Sequence, residues 1–297
     1  MTVDLSVIIV NYNTRDLLRD CLKSVLASEG NLELQVIVVD NGSLDGSPDM
    51  VRQEYPEVQL IASDINGGYA YANNLGIHHA TGRYVLLLNP DTVLPPTALD
   101  STLSFLETHP EVGVVGPKLV LADGSLDLAC RRSFPTLEIA LYRLLGLSKR
   151  YPSSPRFNRY NLGYLDPDQL SEVDSVVGAF MMMRREALEQ AGLLDERFFA
   201  FGEDLDLCYR IKVEQGWKVY YNPAVVVTHY KGQAMKQRTV PMTMHFYRAM
   251  WLFHQKHYAR RTFFLLNWMV ALGTASLCCL ALGINALRPA EKRKVGL

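Results

Sequence analysis

Short, continuously apolar runs rich in β-branched residues alternate in this chain with segments of helical period, and that alternation leaves few folds open. Residues 5–10 (LSVIIV) are the first such run. Beyond the loop 11–14, Leu17, Leu18, Cys21, Leu22, Val25 and Leu26 recur at the spacing of one helix face, which makes a βα unit. Residues 34–39 (LQVIVV) predict a second strand, 59–62 a third and 84–88 a fourth, the last flanked by Gly82 and Pro90. Strands separated by helical stretches imply an α/β fold, its central sheet mostly parallel with helices on both faces. Ligands of such sheets bind outside the carboxyl ends of the strands.

Past residue 117 the pattern loosens. Residues 118–121 and 173–183 read as strands, and a loop-rich, aromatic and basic excursion of the kind that often contacts an acceptor separates them. Within it Leu137, Ala140, Leu141, Leu144 and Leu145 form an apolar helical stripe, a pattern more often packed into a core than dipped into a membrane. Neither an internal repeat nor a low-complexity segment is present.

The net charge of -1 hides an asymmetry: no Asp or Glu falls between Glu214 and Glu291, a stretch that holds Lys218, Lys231, Lys236, Arg238, Arg248, Lys256, Arg260, Arg261 and Arg288. Arg131, Arg132, Arg143, Lys149, Arg150, Arg156 and Arg159 face Glu138 alone in the excursion. Such stretches suit an anionic membrane surface or a phosphate-bearing acceptor, or simply a solvated face. Residues 263–287 carry no charge and are long enough to cross a bilayer core of roughly 30 Å, so they predict a spanning or embedded helix, with a soluble core helix as the alternative. Cations at both ends leave its orientation unset. Cys21, Cys130, Cys208, Cys278 and Cys279 show no C-x-x-C spacing and read as reduced core residues. A buried strand within a few residues of Met1 leaves no room for a cleaved leader, and the catalytic part is expected in the cytoplasm.

The chemistry-bearing residues stand at the ends of these elements. Asp40 closes an apolar strand and opens Asn41-Gly42-Ser43: it is either a turn residue or a carboxylate that accepts a hydrogen bond from a base or ribose. The loop after the first strand is Asn11-Tyr12-Asn13-Thr14-Arg15 rather than G-x-G-x-x-G, which argues against NAD or FAD. Asp91, just past LLLNP, is placed to hold a hard divalent cation that bridges diphosphate oxygens. His229 follows Val225-Val226-Val227 and is either a nitrogen ligand of the same ion or a satisfied structural histidine. One carboxylate, one imidazole and ligand phosphates suit Mn²⁺ or Mg²⁺ rather than a closed zinc site. Glu203 and Asp204 open a helix, where the dipole alone favours carboxylates, and are candidates for a general base.

Taken in order, SVIIVNYN, VVDNGSLDGS, NGGYAYANNLGI, LLLNPDT, GAFMMMRREAL, LLDERFFAFGEDLDLCYR and VVVTHYKG resemble the family 2 glycosyltransferases, in particular their bacterial rhamnosyltransferase-like branch, over residues 5–232. The resemblance implies a GT-A fold and an inverting, metal-dependent transfer from a nucleotide-diphosphate sugar to a hydroxyl of a glycan or polyprenyl-linked saccharide. Asp204 would be the base with Glu203 beside it, and Asp91 and His229 would bind the metal. Asp40 would contact the base of the nucleotide, while Asn11, Asn13, Asn41, Asn66, Gly67, Asn89 and Asp91 complete the donor side. Asn89 replaces the first acid of the family's D-x-D, and Lys231-Gly232-Gln233-Ala234 lacks the hydroxyl of the family's histidine motif. Lys236 and Arg238 are candidates for contacting the leaving phosphate.

The expected organisation is a catalytic domain over 1–245, its donor half at 1–117 and its acceptor half at 118–245, followed by a basic and hydrophobic membrane-associated segment over 246–297. Membrane lipid is the expected partner of that segment, at the cytoplasmic face of a bacterial inner membrane; no nucleic-acid partner is expected. Rhamnose from dTDP-rhamnose is the favoured donor group, ahead of UDP-galactose, UDP-glucose or UDP-N-acetylglucosamine. A non-catalytic nucleotide-binding membrane scaffold and a two-carboxylate glycoside hydrolase are the competing readings.

Overall fold

The computed structural model describes residues 3–231, 239–289 and 292–296. β1 (Leu5–Asn11), β2 (Leu34–Asn41), β3 (Gln59–Ser63) and β4 (Tyr84–Leu88) pair in parallel in the order β3-β2-β1-β4. Every residue of β1 and β4 is buried, so their apolar runs lack alternation because both faces are covered. Each fully buried side chain such as Ile8, Ile37 or Leu86 contributes roughly 1.5–3 kcal/mol by burial. Between the strands run α1 (Arg15–Leu26), whose Leu18, Cys21, Leu22 and Val25 face inward, α2 (Ser47–Glu54) and α3 (Tyr69–His79).

The second half of the sheet is mixed. After β5 (Thr92–Val93) and α4 (Ala98–Thr108), β6 (Val112–Val120) leads into the basic excursion, which carries α5 (Leu137–Leu144) and α6 (Leu147–Arg150). The chain returns through β7 (Ser171–Glu172), β8 (Phe180–Arg184), α7 (Arg185–Ala191), α8 (Glu203–Tyr209) and β9 (Lys218–His229). β8 lies antiparallel between β4 and β6, and β9 pairs parallel with β6 and antiparallel with β5 and β7.

Two expected strands are redrawn. The strand expected at 118–121 starts at Val112 and ends at Val120. Of the one expected over 173–183, only 180–183 is strand, because Ser175 is drawn into a bridge with Arg132 and the backbone loops between them.

α9 (Thr239–His257) contributes Leu252 and Phe253 to the core, so the boundary expected at 245/246 falls inside a helix packed on the catalytic body. Its last turn is tied to α8: the fully buried Asp206 accepts from His257 Nε2 at 2.8 Å and lies 2.7 Å from Lys256 Nζ, besides its pairing with Arg210. α10 (Phe264–Ala286) is different. It spans 23 residues with mean hydropathy 1.8, and among the described residues it alone is long and apolar enough to cross a membrane; Phe264, Trp268, Met269 and Leu272 stand exposed. Cys21, Cys130 and Cys208 are buried free thiols as expected, whereas Cys278 and Cys279 belong to this outward helix and not to the core.

Candidate active site

At the carboxyl end of β1, Asn11 lies in register with Asp40 of β2. Asn11 Nδ2 donates to Asp40 Oδ1 at 2.9 Å, and the Ser43 amide donates to Asp40 Oδ2 at 2.8 Å. Asp40 therefore performs the turn role, while its second lone pairs remain for a ligand. Asn13, at φ 51, receives the Leu44 amide on Oδ1, which fixes the loop opposite the 40–46 turn. A cleft lined by Asp40, Ser43, Pro48, Arg52 and Ser63 opens between the ends of β2 and β3.

Asn41 and the 66–68 loop form a second set of contacts. Asn41 Nδ2 donates to Asn66 Oδ1 at 3.0 Å, and Asn41 Oδ1 accepts the Gly67 amide at 3.0 Å. Gly68 has φ 95, and a Cβ there would lie 2.6 Å from the Phe199 carbonyl oxygen, so the residue is required by both conformation and space. This loop ends at Tyr69, whose hydroxyl donates to the Gly178 carbonyl at 2.8 Å.

Asp91 and His229, distant in sequence, meet because β5 pairs with β9: Thr92 opposes His229 in register, and the Tyr230 amide donates to the Asp91 carbonyl at 2.8 Å. His229 Nε2 lies 3.2 Å from Asp91 Oδ1 without hydrogen-bond alignment, which leaves that buried oxygen without a hydrogen-bond partner. The other imidazole nitrogen, Nδ1, is 3.0 Å from Asp127 Oδ2, and Lys231 Nζ donates to Asp127 Oδ1 at 2.6 Å. Burial opposes charge on His229, but Asp127 and Asp91 outweigh it and raise its pKa to about 9. Burial likewise raises Asp127, yet His229 and Lys231 hold it well below the usual carboxylate range. Asp127 was not foreseen from sequence. It caps a short helical turn by accepting the Ala129 amide; only the return of the chain beside β6 (Asp127 N–H to Leu119 O, 2.9 Å) sets it against His229.

The donor set fits a hard cation shared with phosphate. A buried carboxylate oxygen without a partner, an adjacent imidazole nitrogen and a carboxylate orienting that imidazole are the parts of such a site. Among the described residues no cluster of three or more His, Cys, Asp or Glu could hold a metal, so ligand oxygens would have to complete the coordination. Asn89 is half-buried; its amide donates to the Ala179 carbonyl at 3.0 Å. Lys236 and Arg238 lie outside the described residues.

Segment 178–179 connects this rim to α8. The Gly178 amide donates to Asp204 Oδ2 at 3.2 Å, and Arg132 Nη2 donates to the same oxygen at 2.7 Å. Arg132 was read from sequence as one of a basic run; here it is buried and committed to Asp204, Ser175 and Val176. Glu203, opening α8 behind the positive-φ Gly202, is buried with Oε2 unpartnered. Burial, then repulsion from Asp204, raises its pKa to about 8. Burial, followed by the nearby charges of Glu203, Asp204 and Asp91, also pushes the Tyr69 hydroxyl upward.

The chain is similar over its full length to the N-acetylglucosaminyl-diphospho-decaprenol L-rhamnosyltransferase of Mycobacterium tuberculosis, 28% identical over 309 residues that cover 100% of this chain and 98% of the relative. The fold is shared with a mannosyltransferase of Pyrobaculum calidifontis solved with GDP-Man and Mn²⁺ (TM-score 0.56, 20% identity, 98% of this chain and 78% of that one). It is shared also with GalNAc-T7 solved with UDP, GalNAc and Mn²⁺ (TM-score 0.57, 15% identity, 77% and 44%). These neighbours bear out the GT-A architecture, to which this chain adds the C-terminal apolar helix Phe264–Ala286. Residues 6–192 match the family described as Glycosyl transferase family 2, and the chain, a glycosyltransferase enzyme, belongs to it.

Proposed function

We propose that this glycosyltransferase moves a sugar, rhamnose from dTDP-rhamnose in the favoured case, onto a hydroxyl of a lipid-linked saccharide, with inversion at the anomeric carbon. The observation that carries the reading is the meeting of Asp91 and His229 at 3.2 Å with Asp91 Oδ1 unpartnered. Full-length similarity to a rhamnosyltransferase supports the donor and the acceptor class.

Asp40 and the 40–46 turn take the nucleoside side of the donor, Asn11 and Asn13 hold that turn in place, and Asn41, Asn66 and Gly67 shape the loop above it. Asn89 adds a neutral amide on the sugar-diphosphate side. Asp91 and His229 would hold Mn²⁺ or Mg²⁺, and a divalent cation bound there would supply charge neutralisation for the departing diphosphate. Asp127 fixes the imidazole so that Nε2 faces Asp91. Asp204, held in place by Arg132 at 2.7 Å, takes the proton from the acceptor hydroxyl as that oxygen attacks the anomeric carbon on the face opposite the diphosphate. Glu203 crowds a second carboxyl beside it. α10 and the basic residues around it hold the enzyme at the cytoplasmic membrane face, where a polyprenyl-diphosphate saccharide is presented.

The test is nucleoside-diphosphate release by detergent-purified protein across dTDP-rhamnose, UDP-glucose, UDP-galactose, UDP-N-acetylglucosamine and GDP-mannose, with and without Mn²⁺ or Mg²⁺ and with membrane extract as acceptor. Metal-dependent release from dTDP-rhamnose, abolished by Asp91→Ala, is the expected result. Release from another donor alone reassigns the sugar, and nucleotide binding without any turnover favours the scaffold.

A further inference from the structure

The apolar stripe of α5 does not pack into the core. Ile139 and Tyr142 point inward, at 5% and 8% exposure, while Leu141, Leu144 and Leu145 stand at 50%, 66% and 61%. Three neighbouring leucines left in water at the end of one short helix, two within it and Leu145 capping it, form an apolar patch that calls for a covering partner. Around them Arg143, Lys149, Arg150 and Arg159 are exposed, and among the described residues none has an acidic partner. The single acid of the stretch, Glu138, is already engaged: Tyr142 Oη donates to its Oε1 at 2.6 Å, and Arg156 Nε lies 3.9 Å from the same oxygen. Leucines rimmed by uncompensated cations are complementary to an anionic lipid leaflet, where apolar side chains enter the acyl boundary and cations meet the headgroups.

The position of α5 fits the same partner. Phe134, just before the Thr136 cap of α5, packs edge-on against Tyr209 at 5.0 Å, and Tyr209 packs on Phe253 of α9 at 5.9 Å and on Tyr258 at 6.1 Å. The root of α5 and the root of α10 thus grow from one aromatic cluster. Gly146, at φ 69, turns the chain so that Lys149 and Arg150 follow the leucines at once.

We infer that α5 and α6 form a second membrane contact, laid on the surface of an anionic leaflet beside the α10 anchor. This rests on the membrane reading proposed above for α10. It gives the basic excursion a use: it places the wall nearest Arg132 and Asp204 against the headgroups from which a lipid-linked acceptor rises.

The test uses the full chain in a Cys278→Ser/Cys279→Ser background, since the remaining thiols are buried. An environment-sensitive fluorophore is attached through Leu144→Cys, or separately through Trp268→Cys on α10, and the protein is reconstituted into phosphatidylcholine vesicles with or without phosphatidylglycerol that carry a lipid-borne quencher. Position 144 is exposed, so the label does not disturb the core. The expected result is quenching and a blue shift at 144 in the anionic vesicles, with Lys149→Gln/Arg150→Gln weakening the docked state about thirtyfold. Quenching at 268 without quenching at 144 overturns the inference and leaves the α10 anchor standing. Absence of quenching at both positions removes the membrane reading itself. Quenching at 144 that ignores lipid charge and the double substitution overturns the assignment to an anionic leaflet.

Discussion

Replacing Asp127 by Asn tests the site through a residue that touches neither donor nor acceptor in the mechanism. Asp127 Oδ2 is 3.0 Å from His229 Nδ1, and its other oxygen receives Lys231 at 2.6 Å. Asn preserves the shape and can still accept the imidazole proton, but it removes the negative charge that makes the imidazole a better ligand through Nε2. Outer carboxylate partners of metal-binding histidines are worth about 10- to 100-fold in metal affinity, which is about 1.4–2.7 kcal/mol. The assay is titration of Mn²⁺ by electron paramagnetic resonance at saturating nucleoside diphosphate, with thermal unfolding as the control for an intact fold. The reasoning predicts a Kd for Mn²⁺ raised by about 10- to 100-fold in Asp127→Asn. A Kd equal to that of the parent protein, with the fold intact, would refute the chain from Asp127 through His229 to the cation.

Further outcomes follow from the buried acids and the donor loop. Arg132→Met strands Asp204 without its cation in a buried site and should cost about 3–5 kcal/mol in urea unfolding; adding Asp204→Asn should recover part of it, and strict additivity of the two would contradict the pairing. Glu203 keeps its proton to about 8 in the fold, whereas an unfolded glutamate releases it near 4.5. Stability is therefore unaffected by this group below that lower value and falls as pH rises through the window between the two. Relative to the parent, the Tm of Glu203→Gln should climb across that window, and a pH-independent difference would show that Glu203 is not held neutral. Gly68→Ala meets the Phe199 carbonyl at 2.6 Å from a φ of 95, so it should destabilise by more than about 1 kcal/mol and weaken nucleotide binding; calorimetry that shows neither change would refute the tight approach.

The parallel half of the sheet was legible because its physics is local. Runs such as 7–10 (VIIV) and 84–88 (YVLLL) show no polar alternation, as strands buried on both faces allow, and polar residues just beyond them fall at one rim by topology alone. Asp91 and His229 could be nominated from their strand ends, although the pairing of Thr92 with His229 that brings them together appears nowhere in the local pattern. The mixed half of the sheet resisted for a related reason. Gly113 and Gly116 interrupt the period of β6 because Trp217 and Val176 occupy the space a side chain would need. Arg132 looked like one more surface cation until the fold set it on Asp204, and Asp127 drew no attention until the chain's return beside β6 set it against His229. The leucines of α5 were the opposite case: their spacing was clear and the helix formed, but periodicity reports that a face is apolar and not what covers it.

Asp204 as the base of an inverting transfer is the claim on which the account depends, and the stereochemistry of a single product tests it most directly. Transfer from the anomerically pure donor to a lipid-linked saccharide, read by proton NMR of the isolated product, should give the anomer opposite to that of the donor, and Asp204→Asn should reduce the rate about 10²- to 10⁴-fold without loss of donor binding. Retention of the donor's anomeric configuration, or full turnover by Asp204→Asn, would contradict the account.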